Sequence, residues 1–316
     1  MMDINNEILK LDWKREPYGL YAPIEYTLAA GGKRMRPQLA MIACQMFGGK
    51  DEDVLPAALA LEVFHNFTLL HDDVMDKADV RRGRPTVHVK WNENTAILSG
   101  DQMLIEAYKL LSGVPADKLP KVLQLFNKMA TEICEGQQYD VDFESQEHVT
   151  IEEYLKMIRL KTSVLLATAL QIGAYIAGAS EEQQEALYQF GINVGLAFQI
   201  QDDILDVWGD PATFGKAVGG DISCNKKTFV YLEAMRQLGD GASKELHYWY
   251  NQILEDNTEK IATVKGIFEA LGVRAACENV VEEYTQSALE LLKDLPQNEA
   301  TRKLRKLADK LNTRNS

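Results

Sequence analysis

The residues in this sequence best suited to chemistry are aspartates. The motif Asp-Asp-x-x-Asp occurs twice, at residues 72–76 and 202–206, each time at the end of a long apolar segment. On a helix, residues four apart lie on one face, so Asp72 converges with Asp76 and Asp202 converges with Asp206. Carboxylates placed in this way repel each other, and a bound divalent cation would relieve the repulsion. The repeated motif therefore predicts a cation site.

The candidate ligands also indicate which cation would bind. They are all oxygens, and the sequence has no Cys-x-x-Cys pair and no His-x-x-x-His pair. Such a ligand set favours Mg²⁺ or Mn²⁺ over Zn²⁺, and magnesium usually shares its coordination sphere with substrate phosphates. A single copy of the motif is about as often a solvated helix end. Two copies, the first directly before a basic segment, favour a site.

Two short basic segments could bind such phosphates. Lys33, Arg34 and Arg36 follow Gly31-Gly32, and Arg81-Arg82-Gly83-Arg84 follows the first aspartate motif. Arginine can bind two phosphate oxygens at once, and glycine lets the backbone approach an anion closely. Because the chain as a whole carries a formal net charge of −13, these local clusters predict an anion pocket beside a cation pocket.

Further polar residues interrupt or follow apolar helices. Lys161-Thr162-Ser163 lies inside an apolar run, Gln199 precedes the second aspartate motif, and Lys216, Lys226 and Lys227 follow it. A buried lysine needs an anionic partner, and Thr or Ser can bend a helix by bonding to the preceding turn. Taken alone, Lys161 is equally well explained by a side chain that reaches solvent.

The elements that carry these residues are predicted to be helices. Apolar residues recur at spacings of three and four, which indicates an all-α fold with helices over residues 54–77, 150–179 and 182–208. Thr150 and Glu153 have the spacing of a capping box at the start of the second of these helices. Helices of some twenty residues predict a large bundle around a central cavity.

Composition excludes several classes of protein. The 316 residues are 46% hydrophobic, and no linker-like segment divides them, so a single domain spanning residues 1–316 is expected. The excess of acidic over basic residues, 47 against 34, argues against nucleic-acid binding. The four cysteines are widely separated, no signal peptide is visible, and the most apolar run is short for a membrane span. We therefore expect a cytoplasmic protein with neither a disulfide framework nor a membrane-spanning segment.

In order along the chain, these motifs resemble those of the trans-type polyprenyl diphosphate synthases over about residues 20–235. The motifs are Gly31-Gly32-Lys33-Arg34, the aspartates at 72–76 followed by Arg81-Arg82-Gly83, Lys161-Thr162, and Phe198-Gln199 before the aspartates at 202–206. The resemblance implies an all-α homodimer with a deep active site. It also implies a Mg²⁺-dependent enzyme that ionises an allylic diphosphate, whose carbocation is attacked by isopentenyl diphosphate.

The resemblance also implies roles for individual residues. Metal ions would be bound by Asp72, Asp76 and Asp202, with support from Asp73, Asp203 and Asp206. The allylic diphosphate would be held by Arg81, Lys161, Lys216 and Lys226, and isopentenyl diphosphate by Lys33, Arg36, His65 and Arg82. Thr162 and Gln199 would direct their dipoles toward the carbocation. Two departures from the family pattern are Phe214 beside Lys216 and a C-terminus in which Arg314 is the only candidate for a basic tail.

Product length is predicted from the helix that ends at Asp72. Phe64, Phe67 and Thr68 precede Asp72 by eight, five and four residues, which keeps them on one helical stripe. Phe67 would lie roughly 7.5 Å from Asp72 along the helix axis and act as the floor for the growing chain. Compared with the family, Phe67 beside the small Thr68 predicts geranylgeranyl diphosphate (C20), with farnesyl diphosphate (C15) next. The alternative is that both Phe side chains pack against a neighbouring helix and do not set the product length.

Other functions stay open at this point. A medium-chain polyprenyl diphosphate synthase differs only in product. A class I terpene cyclase would not need the second Asp-Asp-x-x-Asp or the basic residues near Lys33. A phosphohydrolase of the His-Asp type could use His65 and His71, but it would leave the second motif unused. A noncatalytic subunit would have no reason to keep both aspartate motifs.

Overall fold

A computed structural model of the protein describes residues 2–210 and 218–312. It confirms the predicted all-α fold. In chain order the helices are α1 (Ile4–Leu9), α2 (Tyr18–Leu28), α3 (Met35–Met46), α4 (Asp51–Met75), α5 (Val87–Lys90), α6 (Glu93–Leu111), α7 (Leu119–Ser145), α8 (Ile151–Ile158), α9 (Val164–Ile176), α10 (Glu181–Trp208), α11 (Gly220–Ser223), α12 (Phe229–Ala242), α13 (Lys244–Tyr250), α14 (Thr258–Leu271), α15 (Val273–Leu291) and α16 (Glu299–Asn312). Three residues singled out from the sequence, Phe214, Lys216 and Arg314, lie outside the described residues.

The remaining regular structure is one π turn and one short hairpin. The π turn, Arg159–Ser163, joins α8 to α9. Within the described residues, the strands are β1 (Val80–Arg81) and β2 (Arg84–Pro85), which pair antiparallel. The four cysteines are free thiols.

The chain divides into two compact units. The first consists of Met1–Asn127 and Thr168–Leu187, and the second consists of Lys128–Ala167 and Tyr188–Ser316. A division by backbone contacts does not decide how many domains fold independently, so the single domain stays a prediction.

In the first unit, α4 packs against α3 and α6. Its central residues Leu61, Val63 and Phe64 are almost fully buried, which favours the packed helix by about 2 kcal/mol for each large apolar side chain. The helix begins three residues before the predicted start, because its first turn is acidic and negative side chains stabilise a helix N-terminus. It ends at Met75, with Asp76 as its C-cap.

One described helix, Asp51–Met75, is long and apolar enough to cross a membrane by length and composition alone. Core helices of folded proteins pass the same test. Most of its apolar stretch is buried, and the helix also carries charged residues such as Glu62 and Asp73. This helix is therefore weak evidence for a membrane span.

The predicted helix at residues 150–179 is interrupted at a point that lies in the second unit. It begins with the expected capping box, in which Thr150 Oγ1 accepts from the Glu153 N–H and the Thr150 N–H donates to Glu153. The π turn then falls at Lys161-Thr162-Ser163. Glycines on neighbouring helices allow this close packing: a Cβ at Gly136 would clash with the Lys161 backbone, and one at Gly195 would lie 2.5 Å from Ser163 Oγ.

Candidate active site

The first aspartate motif ends α4 and turns its outer carboxylates toward solvent. Asp76 is exposed and Asp72 is half-buried, whereas Asp73 is only 6% exposed. The Asp76 N–H donates to the Asp72 carbonyl at 2.8 Å, which keeps the two residues one helical turn apart. The outer pair therefore lies on one face, as the spacing predicts.

The inner aspartate of this motif is bonded to the hairpin that follows. Arg81 Nε donates to Asp73 Oδ1 at 2.6 Å, and Arg81 NH2 lies 3.4 Å from Asp72 Oδ2. Burial raises the pKa of Asp73, and the guanidinium of Arg81 opposes that rise. Arg81, which the resemblance expects to hold a diphosphate, therefore contacts the carboxylates of Asp72 and Asp73. Asp73 is buried and bonded to Arg81, whereas Asp72 and Asp76 are more accessible to solvent.

The hairpin turn directs its next arginine elsewhere. Arg82 and Gly83 both have positive φ, 53° and 72°, as in the tight turns that join two short strands. Arg82 NH1 donates to the carbonyl of Gly31. A Cβ on Gly32, whose φ is 127°, would lie 3.1 Å from Arg82 Cζ. Positive φ and this close approach explain why glycine precedes Lys33.

The predicted isopentenyl diphosphate residues of the first unit share an electropositive environment. Lys33 and Arg82 are exposed, and Arg36 and His65 are half-buried. Burial lowers the pKa of Arg36 to about 10, so the guanidinium stays charged at neutral pH. Burial, followed by the charges of Arg36 and Arg82, holds the pKa of His65 well below its usual value. His65 is therefore a neutral imidazole, able to donate one hydrogen bond and accept another.

Arg34 differs from the basic residues on either side of it. Its side chain is almost fully buried, and NH1 donates to Glu62 Oε1 at 2.7 Å, while NH2 donates to the Leu28 carbonyl. The sequence grouped Arg34 with Lys33 and Arg36 as one basic segment. Spacing gave no sign of its partner, because Glu62 is 28 residues away on α4.

The second aspartate motif, in the second unit, repeats this division between inner and outer residues. Asp203 is 3% exposed, and it accepts from Tyr154 Oη at 2.5 Å, from the Phe229 N–H at 3.1 Å and from Gln199 Nε2 at 3.3 Å. Burial raises the pKa of Asp203 well above its usual value. Asp202 is half-buried. The roles expected for these two residues, a metal ligand and its support, stay predictions.

Asp206, the last residue of the second motif, is also structural. Its Oδ2 accepts from the Asp221 N–H at 3.0 Å, and its side chain lies at the start of α11. The described environment therefore distinguishes Asp202 from both of the other aspartates in its motif.

The π turn places Lys161 and Thr162 beside polar groups of neighbouring helices. Lys161 Nζ lies 2.6 Å from Asp140 Oδ2 on α7. Thr162 Oγ1 donates to Gln199 Oε1 at 3.4 Å, and Gln199 in turn bonds Asp203. Asp140 and Tyr154 were missed in the sequence, because α7 and α8 each carry several acidic and polar residues and periodicity does not show which of them meets a partner.

The two lysines after α11 differ in their surroundings. Lys226 is exposed, and its carbonyl accepts from Tyr250 Oη at 2.5 Å. Lys227 Nζ donates to the Phe143 carbonyl at 2.7 Å, which gives this lysine a structural partner.

The predicted chain-length residues belong to an aromatic cluster in the first unit. Phe64 is 1% exposed, and its ring contacts those of Phe67 and Phe126 with centroids 5.4 Å and 5.2 Å apart. Phe67 is half-buried and meets the His71 ring at 4.9 Å. Thr68 Oγ1 donates to the His65 carbonyl. Phe64 thus packs against a neighbouring helix, as the alternative to a chain-length role proposed, whereas Phe67 is only half-buried.

The residues present fit a hard cation that arrives together with phosphate. Among residues 2–210 and 218–312, no three His, Cys, Asp or Glu side chains form a group ready to hold a metal ion. Magnesium is usually bound through one or two carboxylates, with water and substrate phosphates completing its sphere. An oxygen-only pair such as Asp72 and Asp76 meets that requirement.

Comparison with known proteins agrees with this chemistry. The sequence matches the polyprenyl synthetase family over residues 17–271. It is 40% identical over 283 residues to the geranylgeranyl diphosphate synthase of Methanosarcina mazei, covering 89% of this chain and 86% of that protein. It is 39% identical over 315 residues to the geranylfarnesyl diphosphate synthase of Natronomonas pharaonis, covering 93% and 90%. A crystal structure of a geranylgeranyl pyrophosphate synthase aligns with a TM-score of 0.93 and 47% identity over 100% of both chains.

The fold and these matches define an all-α prenyltransferase that acts on isoprenoid diphosphates. The chain belongs to the polyprenyl synthetase family.

Proposed function

We propose that the protein is a Mg²⁺-dependent synthase that condenses isopentenyl diphosphate with an allylic diphosphate to make geranylgeranyl diphosphate. The observation that carries this proposal is the division within both aspartate motifs. Asp73 and Asp203 are buried, whereas Asp72, Asp76 and Asp202 are more accessible to solvent. That division suits two motifs that each contribute carboxylates to metal-bound diphosphate. Mn²⁺ would suit the same oxygen ligands.

The reaction begins when the C–O bond of the allylic diphosphate breaks and the electron pair leaves with the diphosphate. Asp72, Asp76 and Asp202 would hold Mg²⁺, which would supply positive charge to that leaving group. Arg81, Lys161, Lys216 and Lys226 bind the same diphosphate and stabilise its developing charge. The Thr162 hydroxyl and the Gln199 amide orient their dipoles toward the allylic cation without trapping it.

The second substrate is held by positive charge and hydrogen bonds. Lys33, Arg36 and Arg82 bind the diphosphate of isopentenyl diphosphate, and neutral His65 contributes a hydrogen bond. The double bond of isopentenyl diphosphate then attacks the cation, which forms the new C–C bond. Positioning supplies much of the rate. The released diphosphate accepts the proton that leaves the product, so no side chain is required as the base.

Two observations support the length of the product. The compared relatives are named for geranylgeranyl and geranylfarnesyl diphosphate, and Phe67 is a half-buried aromatic residue one turn before His71. We propose C20 as the main product, with C15 as the next candidate. The proposal includes a homodimer in the cytoplasm.

The rival functions have less support. A His-Asp phosphohydrolase could use His65 or His71, but it would leave the second aspartate motif and the basic hairpin without a role. His71 Nε2 lies 3.0 Å from the Ile97 carbonyl and 3.9 Å from Asp101 Oδ1. A terpene cyclase would not use the residues around Lys33.

A product assay tests the proposal. The full-length protein is incubated with isopentenyl diphosphate and, in separate reactions, the C5, C10 or C15 allylic diphosphate, with Mg²⁺ or with EDTA. We expect C20 diphosphate in the Mg²⁺ reactions and no product with EDTA. Reactions that lack isopentenyl diphosphate serve as the control. Cyclic hydrocarbons, or phosphate released in that control, would contradict the proposal.

A further inference from the structure

Glu62 is a buried carboxylate among several guanidinium groups of the first unit. It is 1% exposed, and Oε1 accepts from Arg34 NH1 at 2.7 Å and from Asn66 Nδ2 at 2.9 Å. Oε2 is buried and makes no hydrogen bond among the described residues. A buried carboxylate is costly unless a positive group accompanies it, and Arg34, 5% exposed, is that group.

The charge of Glu62 also reaches the arginines proposed to bind substrate. Its attraction opposes the lowering of the pKa of Arg36 and of Arg82, while Arg34 and Arg82 repel each other. We call Arg34, Arg36 and Arg82 the arginine cluster. Three guanidinium groups against one carboxylate leave two positive charges uncompensated, and His65 adds none because it is neutral.

The arginine cluster has unused hydrogen-bonding capacity. Arg36 Nε is buried and has no hydrogen-bond partner among the described residues. A buried donor without a partner costs free energy, and an oxygen-rich anion would satisfy it. Glu62 and His65 are three residues apart on α4, so the carboxylate and the imidazole share a helix face.

We propose that Glu62 sets the affinity of the arginine cluster for the diphosphate of isopentenyl diphosphate by cancelling one of its three positive charges. The carboxylate allows Arg34 to be buried when no substrate is bound, and it limits how tightly the diphosphate is held. This inference rests on the proposed roles of Lys33, Arg36, His65 and Arg82.

The test uses Glu62→Gln, which keeps the shape and the acceptor oxygen but removes the charge. Binding of isopentenyl diphosphate to the full-length protein is measured by calorimetry without Mg²⁺ and without an allylic substrate. We expect Glu62→Gln to bind on the order of fivefold more tightly, because one repelling charge near the diphosphate is gone. Arg34→Gln should bind more weakly by a similar factor. The double variant should return to within about twofold of the wild type.

A matched control is available in the same unit. Glu106 is 6% exposed and lies 2.8 Å from Arg15 NH1 and 2.9 Å from Lys109 Nζ. Glu106→Gln should lower the stability of the protein and leave the affinity for isopentenyl diphosphate unchanged. Weaker or unchanged binding by Glu62→Gln would overturn the inference. If Glu62→Gln does not fold, a double variant that binds no better than Arg34→Gln would overturn it equally.

Failure of the proposed function gives a different result. If Arg36→Ala binds isopentenyl diphosphate as tightly as the wild type, the assignment of this site to that substrate is wrong. If Arg36→Ala weakens binding but Glu62→Gln does not strengthen it, only the role of Glu62 is wrong.

Discussion

The ammonium of Lys161 lies 2.6 Å from the carboxylate of Asp140, so the lysine proposed to bind the allylic diphosphate already has an anionic partner. The π turn brings Lys161 to this position on the side of α7. A diphosphate that reaches Lys161 therefore either shares the ammonium with Asp140 or displaces that carboxylate. This contact gives Lys161 a fixed position before substrate binds.

The two proposed diphosphate sites should be separable by kinetics. Lys33→Ala and Arg82→Ala should chiefly raise the KM for isopentenyl diphosphate, whereas Lys161→Ala should lower kcat through slower ionisation of the allylic substrate. Steady-state kinetics with each substrate varied in turn provides the measurement. Equal effects of all three substitutions on both substrates would contradict the separate roles.

The packing under the π turn should be sensitive to one methyl group. Gly136→Ala places a Cβ against the Lys161 backbone and should cost about 2 kcal/mol of stability. It should also lower turnover, because Lys161 moves. Gly266→Ala, in a helix with open space around the glycine, should be neutral or slightly stabilising. Urea denaturation of both variants makes the comparison, and equal stabilities would show that the helices adjust.

The metal proposal predicts loss of turnover with retention of fold. Asp72→Ala and Asp202→Ala should each lower kcat on the order of a hundredfold or more, because charge stabilisation at the leaving group is reduced. Their thermal stability should be close to that of the wild type, since both carboxylates are partly solvated. Asp117→Asn, an exposed control, should change neither quantity. Near-normal turnover in either alanine variant would refute the two-motif proposal.

Phe67 should set the length of the product. Phe67→Ala removes the half-buried ring of Phe67 from the aromatic cluster and should lengthen the main product by at least one five-carbon unit. Chromatography of the dephosphorylated products gives the distribution. Phe126→Leu, which alters the buried contact with Phe64, is the comparison and should have a smaller effect. An unchanged distribution in an active Phe67→Ala variant would remove Phe67 as the floor.

His65 should make stability depend on pH below neutrality. Its pKa is lowered in the folded protein from an ordinary value of 6.5, so below that pH the unfolded chain takes up a proton that the native state does not. The free energy of unfolding contributed by neutral His65 is therefore fully present above about pH 6.5 and falls as the pH decreases. The loss is at most about 1.4 kcal/mol per pH unit.

Urea denaturation of the wild type and of His65→Gln is measured in the same buffers from about pH 7.5 to about pH 5. This interval spans the ordinary pKa of a histidine side chain. The variant should show a shallower fall in stability. His148→Gln, whose side chain is 89% exposed, is the control and should keep the wild-type slope. Parallel curves for the wild type and His65→Gln would mean that His65 takes up its proton equally in the native and unfolded states, which contradicts the lowered pKa.

Much of the fold was predictable from local pattern. Helical periodicity gave the positions of α4 and α10 within about three residues, and the Thr150 capping box was confirmed. The same-face placement of Asp72 and Asp76 also followed from spacing. These features depend on residues close together in the chain, and so a single sequence contains them.

The features that were missed depend on pairs far apart in the chain. The partners Arg34 and Glu62 are separated by 28 residues, and Tyr154 and Asp203 by 49. Periodicity shows that a side chain is on a buried face but not which partner meets it there. For the same reason helical periodicity does not distinguish Asp203, fixed by three donors, from its neighbour Asp202, and only the resemblance assigned the two residues different roles.

The π turn at Arg159–Ser163 also alters the phase of the helix that contains it. A turn that closes one residue later than an α-helical turn accommodates an extra residue, and each α-helical residue accounts for about 100° of rotation. Residues after Ser163 therefore face directions that a continuous α-helix would assign to the residues one position away. Deleting one residue here would restore ordinary α-helical hydrogen bonding and leave the buried face that follows pointing in the same direction. Related chains without a π turn should therefore align with a one-residue gap at this turn, which keeps the buried faces on both sides in register.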